Sequence, residues 1–238
     1  MTFRLEDIAL ISGHHEDLLE TQRGCVNDVI SVLSGCSEVR DDPPCVCRAL
    51  NRFSMRINDI PVTDKERTEA LVPLVPLLME SNDEKMFLER VQFIYDAIMA
   101  SDTWRSVMSS FGIYRGRPSE VSEHYLKKAE ADDIYYYNVF ENFQTWISQT
   151  FRTLVNHPSQ ALPDLFSANN SFSVNNGNSP DIELSDTYSL QVNKYYSKFF
   201  QEFVGILKQA CLLGLTTMDI EQKQEKFEKA VKQASCSI

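Results

Sequence analysis

The hydrophobic positions of this chain recur most regularly between residues 184 and 215. There Tyr188, Val192, Tyr195, Tyr196, Phe199, Phe203, Ile206, Leu207, Ala210 and Leu213 follow one another at three- and four-residue steps. That spacing places them along one face of an α-helix. Ser185 stands in N-cap position, Asp186 suits the first turn through the helix dipole, and Gly214 supplies the left-handed residue that ends the helix. At about 1.5 Å per residue, roughly 30 residues would span about 45 Å. A second stripe predicts a helix within 132–155 that packs against the first: Tyr136, Phe140, Phe143, Ile147, Phe151 and Leu154, widened by Tyr135, Val139 and Trp146.

Weaker patterns fill the rest. Leu5, Ile8, Ala9 and Ile11 suit a short opening helix interrupted at Gly13. Leu18, Leu19, Gln22, Cys25, Val26, Val29, Ile30 and Leu33 predict a helix over 15–33 that Gly35 stops. Leu50, Phe53, Ile57 and Ile60 predict another that ends before Pro61. Thr63 with Glu66 forms a capping-box pattern, and Pro73 and Pro76 predict a kink or break in the helix that follows. Ser81 or Asn82 is the expected cap of a helix carrying Met86, Phe87, Val91, Phe93, Ile94, Ile98 and Met99. Asp102 is the expected cap of a short helix carrying Trp104. Residues 157–183 hold three prolines and an Asn/Ser run, and read as an exposed loop. The last helix, over 217–238 with Thr217 as its cap, has alternating Lys and Glu and a thin apolar face of Met218, Phe227, Ala230 and Val231. It reads as peripheral. The whole predicts one all-α, bundle-like domain of seven or eight helices.

Composition narrows the function. A hydrophobic share of 43% is ample for a core, and a net charge of −11 argues against a nucleic-acid surface, which needs a basic patch. No apolar run reaches the roughly 18 residues of a membrane span, and the first eleven residues lack the order of a signal peptide. A cytoplasmic protein, or one exported without a cleaved signal, is expected, with six sparse cysteines kept as thiols.

Four groups of residues invite chemistry. His14, His15, Glu16 and Asp17 are dense in ligand types, but adjacent histidines diverge by about 100° on a helix, so a solvated helix start is the expectation. Cys25, Cys36, Cys45 and Cys47 lack a Cys-x-x-Cys knuckle, and free thiols are expected rather than a metal site. Arg115 and Arg117 flank Gly116 and offer a fork for an anion, without a phosphate-cradling glycine signature. Tyr135, Tyr137, Trp146, Tyr195 and Tyr196 are either core or, where they fall outside the stripes, a partner-binding surface. Nucleophile-elbow, phosphate-loop, dinucleotide and His-Glu-x-x-His motifs are absent, and no pattern calls for a cofactor.

The run Tyr196-Ser197-Lys198-Phe199-Phe200-Gln201-Glu202-Phe203-Val204-Gly205-Ile206-Leu207 resembles the long coiled-coil helix of bacterial type III secretion needle-tip proteins. The resemblance covers one helix. It implies a secretion-apparatus or secreted virulence role among the alternatives. The leading expectation is a non-catalytic interaction module, an adaptor, regulator or effector that binds another protein through a helical or aromatic surface. A helical-bundle enzyme or ligand binder with a pocket between the aromatic helices is the other. The oligomeric state is left open.

Overall fold

The computed structural model describes residues 4–105, 141, 144–145, 147–152, 155 and 181–236. The chain opens with a 3₁₀ turn, Leu5–Asp7, and a two-residue strand β1, Ala9–Leu10. It continues through α1, Leu18–Thr21, to a second two-residue strand, β2, Arg23–Gly24, which pairs with β1 in parallel. Then come α2, Val26–Leu33, α3, Arg48–Asn58, α4, Asp64–Leu71, α5, Val75–Leu78, and α6, Glu84–Ala100. Beyond them run α7, Asp181–Leu212, and α8, Thr217–Cys236. The architecture is an all-α bundle with, among the described residues, one minimal β bridge.

The predicted opening helix and the single helix over 15–33 are both replaced. Gln22 takes a left-handed backbone at φ 56° and ends α1, and the next two residues pair with β1. Gly24 belongs there because a Cβ would come within 3.2 Å of Leu18 Cδ1 and Asp28 Oδ2. Cys25 then restarts the helix through a capping box with Asp28. Hydrophobic period alone did not reveal this break, because the stripe runs through it.

Other boundaries move less. Thr63 Oγ1 accepts from Glu66 N at 3.2 Å, as predicted, but the Glu66 carboxylate turns outward to accept from Ser197 and Gln201 of α7. The double-proline kink is a 3₁₀ turn at Val72–Leu74 between α4 and α5. Asp83, rather than Ser81 or Asn82, caps α6; Ser81 and Asn82 are occupied with Cys47 N and the Pro44 carbonyl. Ser101, one residue before the expected Asp102, receives the Trp104 amide. α7 starts at Asp181, so Ser185 lies inside the helix instead of capping it. Thr216 precedes α8 and exchanges hydrogen bonds with Asp219, one residue before the expected Thr217. Residues 157–180 of the predicted loop lie outside the described residues.

The core lies where α3 and α6 meet α7. Tyr195, Phe199, Phe203, Ile206, Leu207 and Ala210, all on the predicted stripe, are buried, and Phe200 and Cys211 widen it. Phe199 and Phe203, one turn apart, meet edge to face at 4.6 Å, and Phe151 meets Phe203 at 5.2 Å and 87°. Phe53 of α3 closes the group, 6.0 Å from both Phe151 and Phe203. Phe151 therefore joins its part of the second predicted stripe to α7, as the sequence suggested. Among the described residues no single helix is long and apolar enough to cross a membrane.

Two polar devices fix the smaller elements around this core. Arg67 of α4 is 3% exposed and uses every one of its five N–H donors. Nε donates to Asn58 O, Nη1 to Leu10 O and Asp64 Oδ1, and Nη2 to Ile60 O and Val62 O. β1, the end of α3 and the α3–α4 connection thereby converge on one side chain. Between α2 and α3, Ser54 donates to Asn27, while Asn58 accepts from Val26 N and donates to Ile11 O.

α8 folds back after Gly214, whose φ of 74° no β-carbon residue adopts easily and whose missing Cβ makes room for Met86. The two helices are bent by 106°. The predicted thin face is seen in part: Phe227 is buried and Ala230 and Val231 are half-buried, but Met218 is 63% exposed and does not belong to it. The lysines are not all solvated, however: Lys223 is half-buried and donates to Met79 O and Glu80 O, and Lys226 pairs with Glu80.

Replacing Arg67 by Met removes its donors from four backbone carbonyls, of which Ile60 O keeps a second donor in Val62 N. Urea denaturation of Arg67→Met should show a loss of about 3–5 kcal/mol, with Arg67→Lys recovering only a minor part. A loss under about 1 kcal/mol would mean that the bundle does not depend on this guanidinium.

Candidate functional site

His14 and His15 lie in a loop, and the expected helix start comes at the end of the stretch, where Asp17 takes the N-cap position of α1. Gly13 has φ 86°, and the loop folds over the first turn of α2, where the Asp28 carboxylate is wholly buried. Asp28 Oδ1 lies 2.5 Å from His14 Nδ1, and Oδ2 accepts from His15 N at 3.0 Å and Cys25 N at 2.8 Å. The two adjacent histidines diverge, as anticipated: His15 Nε2 reaches the Ser12 carbonyl instead. Neither Glu16 nor Asp17 joins Asp28; Glu16 acts on His14 only through its charge, and the Asp17 carbonyl accepts from Thr21.

Cys, His and Asp side chains meet here, but the arrangement disarms the thiol. Burial first, and then the Asp28 charge, push Cys25 far above the usual thiol range, and the backbone hydrogen bonds from Asp28 and Asn27 offset this only in part, so the thiol stays protonated. Asp28 Oδ1 holds His14 Nδ1, but the hydrogen bond seen at Cys25 Sγ comes from the Asp28 amide and not from the imidazole. The order therefore orients no base toward a nucleophile. The other predicted cysteines do not gather with it. Cys36 and Cys45 are half-buried, with Cys45 Sγ against Ser34 Oγ at 3.1 Å, and Cys47 is buried at the start of α3. Cys211, which the sequence did not single out, is buried on the inner face of α7 with its thiol pushed up to about 12 by that burial. Among the described residues no group of three or more His, Cys, Asp or Glu side chains is arranged to hold a metal ion.

Of the aromatic candidates, Tyr195 is 7% exposed and stacks on Phe199 at 6.1 Å and 28°. Burial pushes its phenol well above the usual value. Tyr196 is half-buried, its ring 5.5 Å from that of Tyr195, and its hydroxyl donates to the Val155 carbonyl at 2.8 Å. These two residues meet, but they face the segment carrying Phe151 and Val155 more than solvent. Tyr135, Tyr137, Trp146, Arg115 and Arg117 lie outside the described residues.

A surface feature that the sequence did not assemble lies at the other side of the N-terminal segment. Leu5 of the 3₁₀ turn, Val72 at the proline kink, and Phe227 and Val231 of α8 line an open groove of about 510 Å³. Glu6, Glu228 and Lys232 stand around it. Phe227 and Val231 share a helix face one turn apart, which was legible; Val72 is brought there by the proline kink and Leu5 by the β1–β2 bridge, which was not. The floor is apolar and the charged groups stand at the edge. This suits an apolar side chain of another molecule better than a reaction.

No protein-family model, curated protein or solved structure matches the chain, and the resemblance of residues 196–207 to needle-tip helices has no counterpart among those comparisons.

Thiol chemistry follows the burial pattern. Mass-spectrometric mapping of a brief alkylation at mildly alkaline pH should find Cys36 and Cys45 modified first. Cys25, Cys47 and Cys211 should be at least about tenfold slower, since they react only when the structure opens. Rapid modification of Cys25 in folded protein would contradict its buried, protonated state.

Proposed function

We propose that this chain is a non-catalytic helical module that binds another protein through the groove between its N-terminal 3₁₀ turn and α8. The observation that carries the reading is the open apolar floor formed by Leu5, Val72, Phe227 and Val231. Phe227 is buried and Leu5, Val72 and Val231 are half-buried, so the groove is a narrow apolar slot beside exposed charged side chains, of a size to take one or two apolar anchors of a partner. The occupant that fits is an amphipathic helix with apolar anchors at three- and four-residue spacing and lysine or arginine beside them. Glu6 and Glu228 on the rim favour such basic neighbours. The net charge of −11 would steer a basic segment toward the whole molecule, and Lys232 fixes its direction across the groove.

The burial of Tyr195 favours α8 over the central aromatic helices as the place of contact. The His14–Asp28–Cys25 cluster adds no support for an enzyme, because its thiol is held protonated and its carboxylate is already saturated with donors.

The test is an affinity capture from the native cell or its host, comparing wild type with Val231→Asp and with Tyr195→Ala/Tyr196→Ala. Each variant is checked by circular dichroism. A stoichiometric partner whose affinity falls by about tenfold or more in folded Val231→Asp supports the groove. Retention of that partner by Val231→Asp rejects the groove, and a small molecule copurifying in place of a protein rejects the interaction reading altogether.

A further inference from the structure

The contact between His14 and Asp28 has the parts of a switch. Asp28 is fully buried, and among the described residues His14 is the only group able to carry positive charge within ion-pair distance of it. A buried carboxylate gains much from such a partner, because water is not there to solvate it. The His14 side chain is itself 32% exposed, so protons reach it directly from solvent. The loop that carries it is otherwise held by Ser12 Oγ and Gly13 N to Asp59 Oδ1, His15 N to Asp28 Oδ2 and Asn58 Nδ2 to Ile11 O, and within itself by the His15 Nε2–Ser12 O contact. The Cys25 amide shares that Oδ2 atom, so the loop is drawn against the turn that bears the buried thiol.

We infer that the His14 imidazolium and the buried Asp28 carboxylate form a pH-operated latch that holds the loop over the N-terminal turn of α2 and keeps Cys25 closed off.

The charged groups facing His14 all have the same sign: Asp28 on α2, Asp41 in the α2–α3 connection, and Glu16 in its own loop. Burial opposes protonation of the ring. The Asp28 hydrogen bond and these three negative charges outweigh it, and the imidazole titrates above its ordinary 6.5. The sign of the linkage follows. The latch is fully charged below the unfolded value of 6.5 and loses its charge as pH rises through the higher folded value. A neutral imidazole can still donate to Asp28, but the attraction to the buried charge is gone. The loop is then held by its neutral bonds alone.

The experiment follows the reaction of Cys25 with dithiodipyridine, read peptide by peptide by mass spectrometry, in wild type and His14→Asn between about pH 5.5 and about pH 8.5. Asparagine keeps a neutral donor near the Nδ1 position and cannot become a cation. Taking the mutant-to-wild-type ratio at each pH removes the intrinsic pH dependence of the thiol. The ratio should be about three- to tenfold at the acid end and fall toward one at the alkaline end, a size set by the partial exposure of the pair. A ratio independent of pH overturns the latch. Carbon-13 NMR of the wild-type imidazole provides a second test that needs no variant: a midpoint above 6.5 supports the latch, and one at or below 6.5 overturns it.

Discussion

The N-terminal half of this bundle depends on one buried guanidinium. Arg67 lies where β1, the end of α3 and the loop leading into α4 turn four carbonyl oxygens toward one point, and of these Ile60 O alone is also seen to accept from a loop amide, that of Val62. Each would cost free energy if unpaired, and no single apolar side chain could satisfy them. A planar cation with five fixed donors does, and Asp64 balances its charge from the first turn of the same helix. Because every donor is used, the group has nothing left to offer a ligand. Its role is to let a two-residue strand survive in a helical protein, since a ladder this short could not hold itself in place.

The rest of the molecule is organised by aromatic packing of a different character. Phe53, Phe151, Phe199 and Phe203 lock α3, α7 and the segment between them through edge-to-face contacts. The two systems are joined by Glu66, which starts in the Thr63 cap region and ends as acceptor for Ser197 and Gln201. α8 is added last in this hierarchy, with Phe227 as its one buried apolar anchor and lysine bonds to the backbone around Glu80. Glu80 itself has a left-handed backbone, φ 53°, which turns its carbonyl and carboxylate toward those lysines.

How much of this was legible in the sequence depended on whether a feature is periodic. The stripe through Phe199, Phe203 and Ala210 announced the core helix, and Pro73 and Pro76 announced the kink, because each is a local rule. The break at Gln22 was invisible, since the left-handed residue is neither Gly nor Asn and the apolar stripe continues past it. Caps slipped by a residue or more wherever two or three polar residues stood together, as at Ser81, Asn82 and Asp83. The groove beside α8 was half legible. Phe227 and Val231 marked a helix face, but the presence of Leu5 and Val72 opposite them is a product of chain topology, and no local pattern encodes that. The histidine pair was read with helical geometry but lies in a loop, and the acceptor of His14, Asp28, is 14 residues away with no signature beyond helical polarity.

The parallel bridge between β1 and β2 also has a bearing on how the chain reaches its structure. Residue 10 is paired with residue 24 nearby, but its amide and carbonyl are claimed by Thr68 and Arg67, nearly sixty residues downstream. Closing so long a loop costs entropy before any contact repays it, and α4 must be helical before its donors point the right way. Glu66, one residue earlier, is in turn engaged by residues 197 and 201. β1 can therefore pair with β2 early, but its remaining amide and carbonyl have no partners until α4, 57 and 58 residues downstream, has been made and has folded.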